Sequence, residues 1–248
     1  MARDEEIRSS PQRERIDTSG RLIQNQILLA MPEEEFLALR PHLERVQLNT
    51  NEVLHEAGEK VDYAFFLNSG LVSLLVVTAD ARSVEVGVVG KDGFVGAGLT
   101  AGLRQASQRA VIQIGSDAFR VKSQALQDVL ANAPRLRQQM NRYVVVQGLQ
   151  VAQLAACNRL HEIEQRLARW LLMTQDRIGG DSIPITHDLL AQMLGSGRPS
   201  VTVAAGMLQR SGSIEYTRGA VKVLNRRGLE AAACECYDAI RKINHIAK

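Results

Sequence analysis

The stretch LLAQMLGSGRPSVTVAAGMLQRSGSI, Leu189–Ile214, carries few charges. Yet it sets Arg198 directly after Gly195-Ser196-Gly197 and before Pro199. Thr186 is a candidate N-cap for a helix over His187–Leu194, because its hydroxyl can accept from a free amide of the first turn. Gly195 supplies the positive φ that a sharp inter-helix turn requires. A second helix begins near Arg198, with Pro199 in its first turn, where a missing N–H costs nothing. Ala191, Gly195 and Val201 stand at relative positions 0, 4 and 10. The first is small where two helices cross, the second makes the turn, and the third faces back into the core. That spacing predicts a helix-turn-helix. Downstream, RSGSIEYTRGAVKVL gives Gly212 as a helix stop, a strand over Ser213–Tyr216, a turn at Thr217–Gly219 and a strand over Ala220–Leu224. A helix-turn-helix followed at once by a hairpin is a winged helix, far more specific than a two-helix corner alone.

Such a unit has a physical reason to bind double-stranded DNA. The head of its second helix points into the major groove, and its dipole favours nearby phosphate. Arg198 has the fork geometry for a bidentate contact to guanine O6 and N7. Ser196, Ser200 and Thr202 offer short hydroxyls for phosphates or a base edge, and Arg218 at the wing tip meets the backbone. Thr186, Gly197 and Pro199 complete the expected interface. An arginine at a helix start is by itself often only a solvated charge; here the corner and the wing give it a role. From Thr186 to Arg227 there are six basic residues (Arg198, Arg210, Arg218, Lys222, Arg226, Arg227) against two acids (Asp188, Glu215), a local +4.

The whole chain of 248 residues has a formal charge of only +3, so the basic character is local. Its length suits about two domains. Hydrophobic residues at 45% and charged residues at 23% are ordinary for a globular protein, and aromatics at 4% are too few for base stacking to dominate. Three cysteines, Cys157, Cys234 and Cys236, have spacings that suggest neither a disulfide framework nor a four-ligand metal site. No apolar run reaches a membrane span, and the N-terminus lacks the apolar core of a secretion signal. The expectation is a bacterial-type cytoplasmic protein without membrane contact.

Residues 1–20 are polar and read as a flexible lead-in. Helical spacing follows from Arg21 to His42, with Pro32 opening a second short helix. From about Arg45 to Lys122 the texture is short strands rich in Val, Leu and Phe, cut by turns at Asn49–Asn51, Gly58, Asn68–Gly70, Ala79–Arg82 and Gly90–Gly93. That predicts a small β-sandwich or β-roll. Ser123 is a plausible N-cap for the next helix. From Leu136 to Arg177 there is no Pro and one Gly, Gly148. Leu136, Met140, Tyr143, Val144, Val151, Leu154, Ala155 and Leu160 give the first part a broad apolar face, on a helix of about 40 Å. It either packs along its own β-domain or, as its length favours, pairs with a second copy. Ile163 onward starts a separate helix of the C-terminal domain. The predicted architecture is α+β: a β-roll sensor domain over 21–135, a dimerisation helix over 136–160, and a winged helix-turn-helix over 161–248.

This order resembles the CRP/FNR family of bacterial transcription regulators. The resemblance covers roughly Leu22 to Leu229. Its carriers are IEQRLARWLL (Ile163–Leu172), LLAQMLGSGRPSV (Leu189–Val201), LQRSGSIEYTRGAVKVLNRRGL (Leu208–Leu229) and the β-roll opening AGEKVDYAFFLNSGLVSLL (Ala57–Leu75). The family implies a homodimer on a two-fold-related operator, with half-sites about one helical turn apart, roughly 34 Å. It also implies an effector on the β-roll acting through the long helix, and allows RNA polymerase as a further partner.

The departures are informative. In cyclic-nucleotide-binding members a Gly-Glu pair holds the ribose, and an Arg-Ser or Arg-Thr pair about ten residues on holds the phosphate. Here Gly96 is followed by Ala97, and Ser107 is preceded by Ala106. Losing that arginine leaves a partly buried phosphate without its strongest partner, several kcal/mol. Arg104 and Arg109 are the nearest substitutes. Cyclic AMP is therefore not expected to bind in the usual mode. Gly96, Ala97, Gly98, Leu99, Ser107 and Gln108 remain the candidate lining for another effector, or for none. The iron–sulfur sensors need an N-terminal cysteine cluster, and the first cysteine here is Cys157, so no cluster, and no other cofactor, is expected. His55 alone is a weak haem ligand, and Cys234 and Cys236 read as inert. Pro199 stands where the family commonly has a polar partner for the arginine, so half-site preference should differ while a guanine is kept.

A different class remains: a ligand-binding signalling protein whose winged domain makes protein contacts. The intact Arg198, Ser200 and wing favour DNA. An enzyme is not expected, since His42, His55, His161, His187 and His245 are scattered with no convergent acid, base or nucleophile, and no catalytic or metal-binding residue is assigned.

Overall fold

The computed structural model describes residues 14–246. Most of the expected lead-in, 1–13, lies outside the described residues. The remainder, 14–20, is packed rather than loose. Arg15 is buried, donates to the carbonyls of Leu28 and Met31, and lies over the Phe36 ring. Asp17 is buried too and accepts from the amides of Ser19 and Arg21. Composition alone missed this because the polar groups are satisfied inward. Short helices α1 (Gln26–Ala30) and α2 (Glu33–Leu39) follow, with Asn25 capping α1 through Leu28 N.

The β-domain is a roll of two antiparallel sheets. One has the order β1 (Glu44–Leu48), β8 (Ser116–Lys122), β3 (Tyr63–Leu67), β6 (Phe94–Val95). The other has β2 (Val53–His55), β7 (Arg109–Ile114), β4 (Leu71–Val77), β5 (Ser83–Val89). Phe66, Phe94 and Phe119 fill the space between them. β4 is buried on both faces. Period-2 alternation sends Val72 and Leu74 into the roll, while Leu71 and Leu75 join the core of the C-terminal domain. A continuous apolar run on a strand here means that it lies between two cores.

Helix α3 (Ser123–Asn132) begins at Ser123, but Ser123 does not cap it; its hydroxyl donates instead to the carbonyl of Val61 at 2.5 Å and ties the helix to the roll. Helix α4 (Pro134–Leu160) is 27 residues long. Its apolar face divides differently from expectation. Leu136, Met140, Tyr143 and Leu154 are buried against the chain's own domains, whereas Ala155 and Leu160 are exposed, as are Val145, Gly148, Leu149 and Ala152. Gly93 admits the Tyr143 ring so closely that a Cβ there would stand 2.1 Å from it.

The chain bends at His161 into α5 (Ile163–Ile178), which a reciprocal Glu162–Gln165 capping box opens and Gly179, at φ 70°, closes. Strand β9 (Ser182–Pro184) joins β10 (Ile214–Thr217) and β11 (Ala220–Val223) in the order β10-β11-β9 and is the third strand of the wing. Between them stand α6 (His187–Leu194) and α7 (Arg198–Arg210); α8 (Arg226–Ala232) and α9 (Cys236–Ile246) complete the domain.

The two domains share an apolar and polar seam along β5 and the turn that follows it. Ser83 accepts from Gln192 at 2.5 Å, Val84 packs on Gly195, Glu85 accepts from Trp170 at 2.8 Å, and Asp92 faces Arg177 at 3.6 Å.

Candidate nucleic-acid interface

Thr186 accepts from Leu189 N at 3.3 Å and starts α6 as its spacing predicts. Gly195 ends α6 at φ 57°, and α7 opens at Arg198 with Pro199 in its first turn. Val201, Ala204, Ala205 and Leu208 are buried at helical spacing, which fixes the rotation of α7 against α5 and α6. The opposite face is exposed at Arg198, Pro199, Ser200, Thr202, Val203, Met207 and Arg210. Val203, 61% exposed, was not expected at the interface. The signal was present, since the buried positions leave Val203 outward beside Thr202, and a solvated valine on this face has the shape to meet a thymine methyl.

Several side chains are already engaged. Arg198 Nη1 lies 3.2 Å from Asp188 Oδ1, with both residues about two-thirds exposed. Thr202 Oγ1 donates to the carbonyl of Arg198 at 3.0 Å and is 3.1 Å from His187 Nδ1. The His187 ring stacks on Tyr216, with centroids 4.0 Å apart, and burial together with Arg198 lowers its pKa. Ser196 turns back toward the carbonyl of Leu194 at 3.4 Å. Gly197 is the exposed N-cap residue of α7. Arg218 is exposed at the two-residue turn between β10 and β11, where Gly219 takes φ 88°.

The local charge of +4 overstates the free basic surface. Arg226 donates to Asp176 at 2.7 Å, to Glu230 at 3.0 Å and to Gln175, so it braces α8 against α5. Lys222, Arg210 and Arg227 remain at least partly exposed.

At the expected effector region, Gly96 (φ 104°) and Gly102 (φ 76°) bracket a single 3-10 turn over Ala97–Ala101. Leu99 is buried directly beneath Gly96, and Gly98 lies against Leu103. Ala106 is buried, Ser107 exposed and Gln108 half-buried ahead of β7. Neither alternative arginine is idle. Arg104 donates to Gln124 and Gln127 of α3, and Arg109 faces Glu56 at 3.3 Å. His55 lies partly buried on β2, and burial lowers its pKa.

Folding brings together cysteines that their spacing in the sequence keeps apart. Cys157 near the end of α4 meets Cys234 and Cys236 at the start of α9, and His161 joins them, with donor atoms all within 4.8 Å of one another. Two distant segments supply the set, so no local spacing advertises it.

The fold is a two-domain architecture, a β-roll module joined by a long helix to a winged helix-turn-helix with one exposed helix face. Residues 45–133 match the cyclic nucleotide-binding domain family and 165–232 match the Crp-like helix-turn-helix domain, together more than half of the chain. The chain belongs to the CRP/FNR family of transcription regulators. Among solved structures it is similar to a regulator of the crp/fnr family from Eubacterium rectale, at TM-score 0.66 and 15% identity over 84% of this chain and 97% of that one. It is also similar to the c-di-GMP responsive global regulator CLP of Xanthomonas campestris, at TM-score 0.64 and 18% identity, covering 77% and 99%. A CRP family regulator from Thermus thermophilus gives TM-score 0.63 and 22% identity over 76% and 96%. No sequence among the curated proteins matches this chain. Among the described residues no helix is long and apolar enough to cross a membrane.

Proposed function

We propose that the chain is a homodimeric, sequence-specific DNA-binding transcription regulator that does not take cyclic AMP in the usual mode and works without enzymatic chemistry. The observation that carries this reading is the exposed row Arg198, Ser200, Thr202 and Val203 on α7, held outward by a fully packed opposite face. Arg198 reads a guanine in each half-site, Thr186, Ser196, Gly197, Pro199, Ser200 and Thr202 surround it, and Arg218 meets phosphate from the wing.

Dimerisation runs along α4. Val145, Gly148, Ala152 and Ala155 follow a 3-4 spacing on the exposed face, and Leu149 flanks them. Pairing two such helices sets the recognition helices about one turn of DNA apart, roughly 34 Å. The β-roll is then a sensor whose effector is uncharged or unlike a cyclic phosphate, or a scaffold with none. Ala97 and Ala106 offer no partner for ribose and phosphate, and Arg104 and Arg109 are held elsewhere. The site of action is the cytoplasm, with RNA polymerase as a further partner at the promoter.

The test is selection from randomised duplex DNA at two salt concentrations, without added ligand and again with cell extract, with Arg198→Ala alongside. Enrichment of a palindrome with a guanine in each half-site, lost in the variant, is expected. No enrichment under either condition sinks the reading in favour of a winged domain that contacts protein.

A further inference from the structure

Three cysteines and a histidine meet where α4 hands over to the DNA-binding domain. Cys157 Sγ lies 3.5 Å from Cys234 Sγ, and Cys236 Sγ lies 3.6 Å from His161 Nδ1. All three cysteines are reduced and buried, His161 is partly buried, and the four donor atoms fall within 4.8 Å of one another. A tetrahedral zinc with bonds of about 2.3 Å to sulfur and about 2.0 Å to nitrogen places two thiolates about 3.8 Å apart, and a thiolate and an imidazole nitrogen about 3.6 Å apart. The Cys157–Cys234 and Cys236–His161 separations already lie near those values, and no pair of donors is more than 4.8 Å apart. A disulfide would need Sγ atoms about 2.0 Å apart, and a polynuclear iron–sulfur cluster spreads its thiolates over several irons.

The surroundings suit an ion as well. Glu235 Oε1 lies 3.1 Å from His161 Nε2, on the far side of the ring from the cysteines. A carboxylate there fixes the tautomer that leaves Nδ1 free to coordinate, the usual support for a ligating histidine. Gln153 Nε2 donates to Cys236 Sγ at 3.1 Å. Three thiolates, a neutral imidazole and a divalent cation sum to one negative charge. Arg166 and Arg169 of α5 are both buried; each acts electrostatically on or with Cys157, and each keeps its Nε without a hydrogen-bond partner. Buried guanidinium groups beside a thiol cluster are what an anionic centre requires.

We propose that Cys157, His161, Cys234 and Cys236 form a closed, mononuclear zinc site that staples the end of α4 to the start of α9. Four protein ligands leave no open position, so the ion is structural. Each thiol releases its proton as it binds. The site straddles the bend at His161 between the long helix and α5, and so fixes the angle at which each winged domain leaves the dimer helix.

The full-length protein, expressed with zinc and purified without chelator, is expected to hold one zinc per chain by elemental analysis. Cobalt(II) in its place should give the intense visible bands of tetrahedral coordination and the near-ultraviolet thiolate-to-metal absorption. Cys236→Ser should lose the metal and the bands. His161→Ala, at the surface edge of the site, should weaken binding at least tenfold in chelator competition while circular dichroism stays native. Chelation should lower the melting temperature of the wild type and leave Cys236→Ser unmoved. Substoichiometric zinc with an octahedral cobalt spectrum overturns the site. So does a Cys157–Cys234 disulfide in the freshly purified protein, or iron and sulfide in place of zinc. None of these readouts depends on DNA binding, so the failure of one proposal is distinguishable from failure of the other.

Discussion

The carboxylate of Glu85, on the β-roll, accepts the indole N–H of Trp170, on the first helix of the DNA-binding domain, at 2.8 Å. Ser73 donates to its other oxygen at 2.6 Å. The group is fully buried between two apolar cores, and that burial pushes its pKa up to about 7, with the two hydrogen bonds and Arg169 and Arg177 pulling the other way. One buried acid therefore sits on the path by which a sensor domain would speak to a DNA reader.

Because the folded protein keeps this proton longer than the unfolded chain, stability should fall as pH rises from about 4.5 to about 7, by about 3 kcal/mol for this group, and flatten above. Glu85→Gln should remove that part of the slope. Denaturant unfolding at pH 5 and pH 8, followed by the single tryptophan, measures it; identical slopes in both proteins would show that Glu85 does not titrate in this window.

Asp188 lies 3.2 Å from Arg198 at the surface and would compete with the DNA contact proposed for that arginine. Asp188→Asn should tighten DNA binding modestly, since an exposed pair is worth at most about 1 kcal/mol. Arg198→Ala should cost about 1–3 kcal/mol on the selected site and relax preference at one base. Arg218→Ala should weaken all sequences alike and lower the salt slope by about one. Titrations on matched and scrambled duplexes across salt separate the three patterns.

Gly195 takes φ 57°, and a Cβ there would come within 2.9 Å of Val84 on the β-roll. Gly195→Ala should destabilise by about 1–2 kcal/mol from the backbone alone, with a further cost from the contact. Adding Val84→Ala should recover the second part only. Full recovery, or none, would show that the two costs are not separable as assigned.

Val145 is 63% exposed on the free face of α4. Val145→Glu places like charges face to face in the proposed dimer seam and should yield monomers in analytical ultracentrifugation. Affinity for a palindrome should then fall to that of a single half-site. A variant that remains dimeric moves the interface elsewhere.

Local chemistry carried much of this. Thr186, Gly195, Pro199 and Gly212 announced the corner and its limits, because caps, positive φ and a missing N–H act within a turn of where they stand. The β-roll was legible through short apolar strands cut by turns. The divided face of α4 was not. Helical spacing says that a residue lies on a stripe, and which stripe meets the chain's own domains depends on what arrives from elsewhere.

The sequence by itself determined the order of elements and the helix-turn-helix with its wing, since each rests on residue identity at short range. Tertiary structure alone decided that Glu85 meets Trp170, that Arg226 is held by Asp176, that Asp188 holds Arg198, and that Cys157 and His161 meet Cys234 and Cys236. Those pairs join segments whose separation packing closes, and no local preference encodes which buried faces come together.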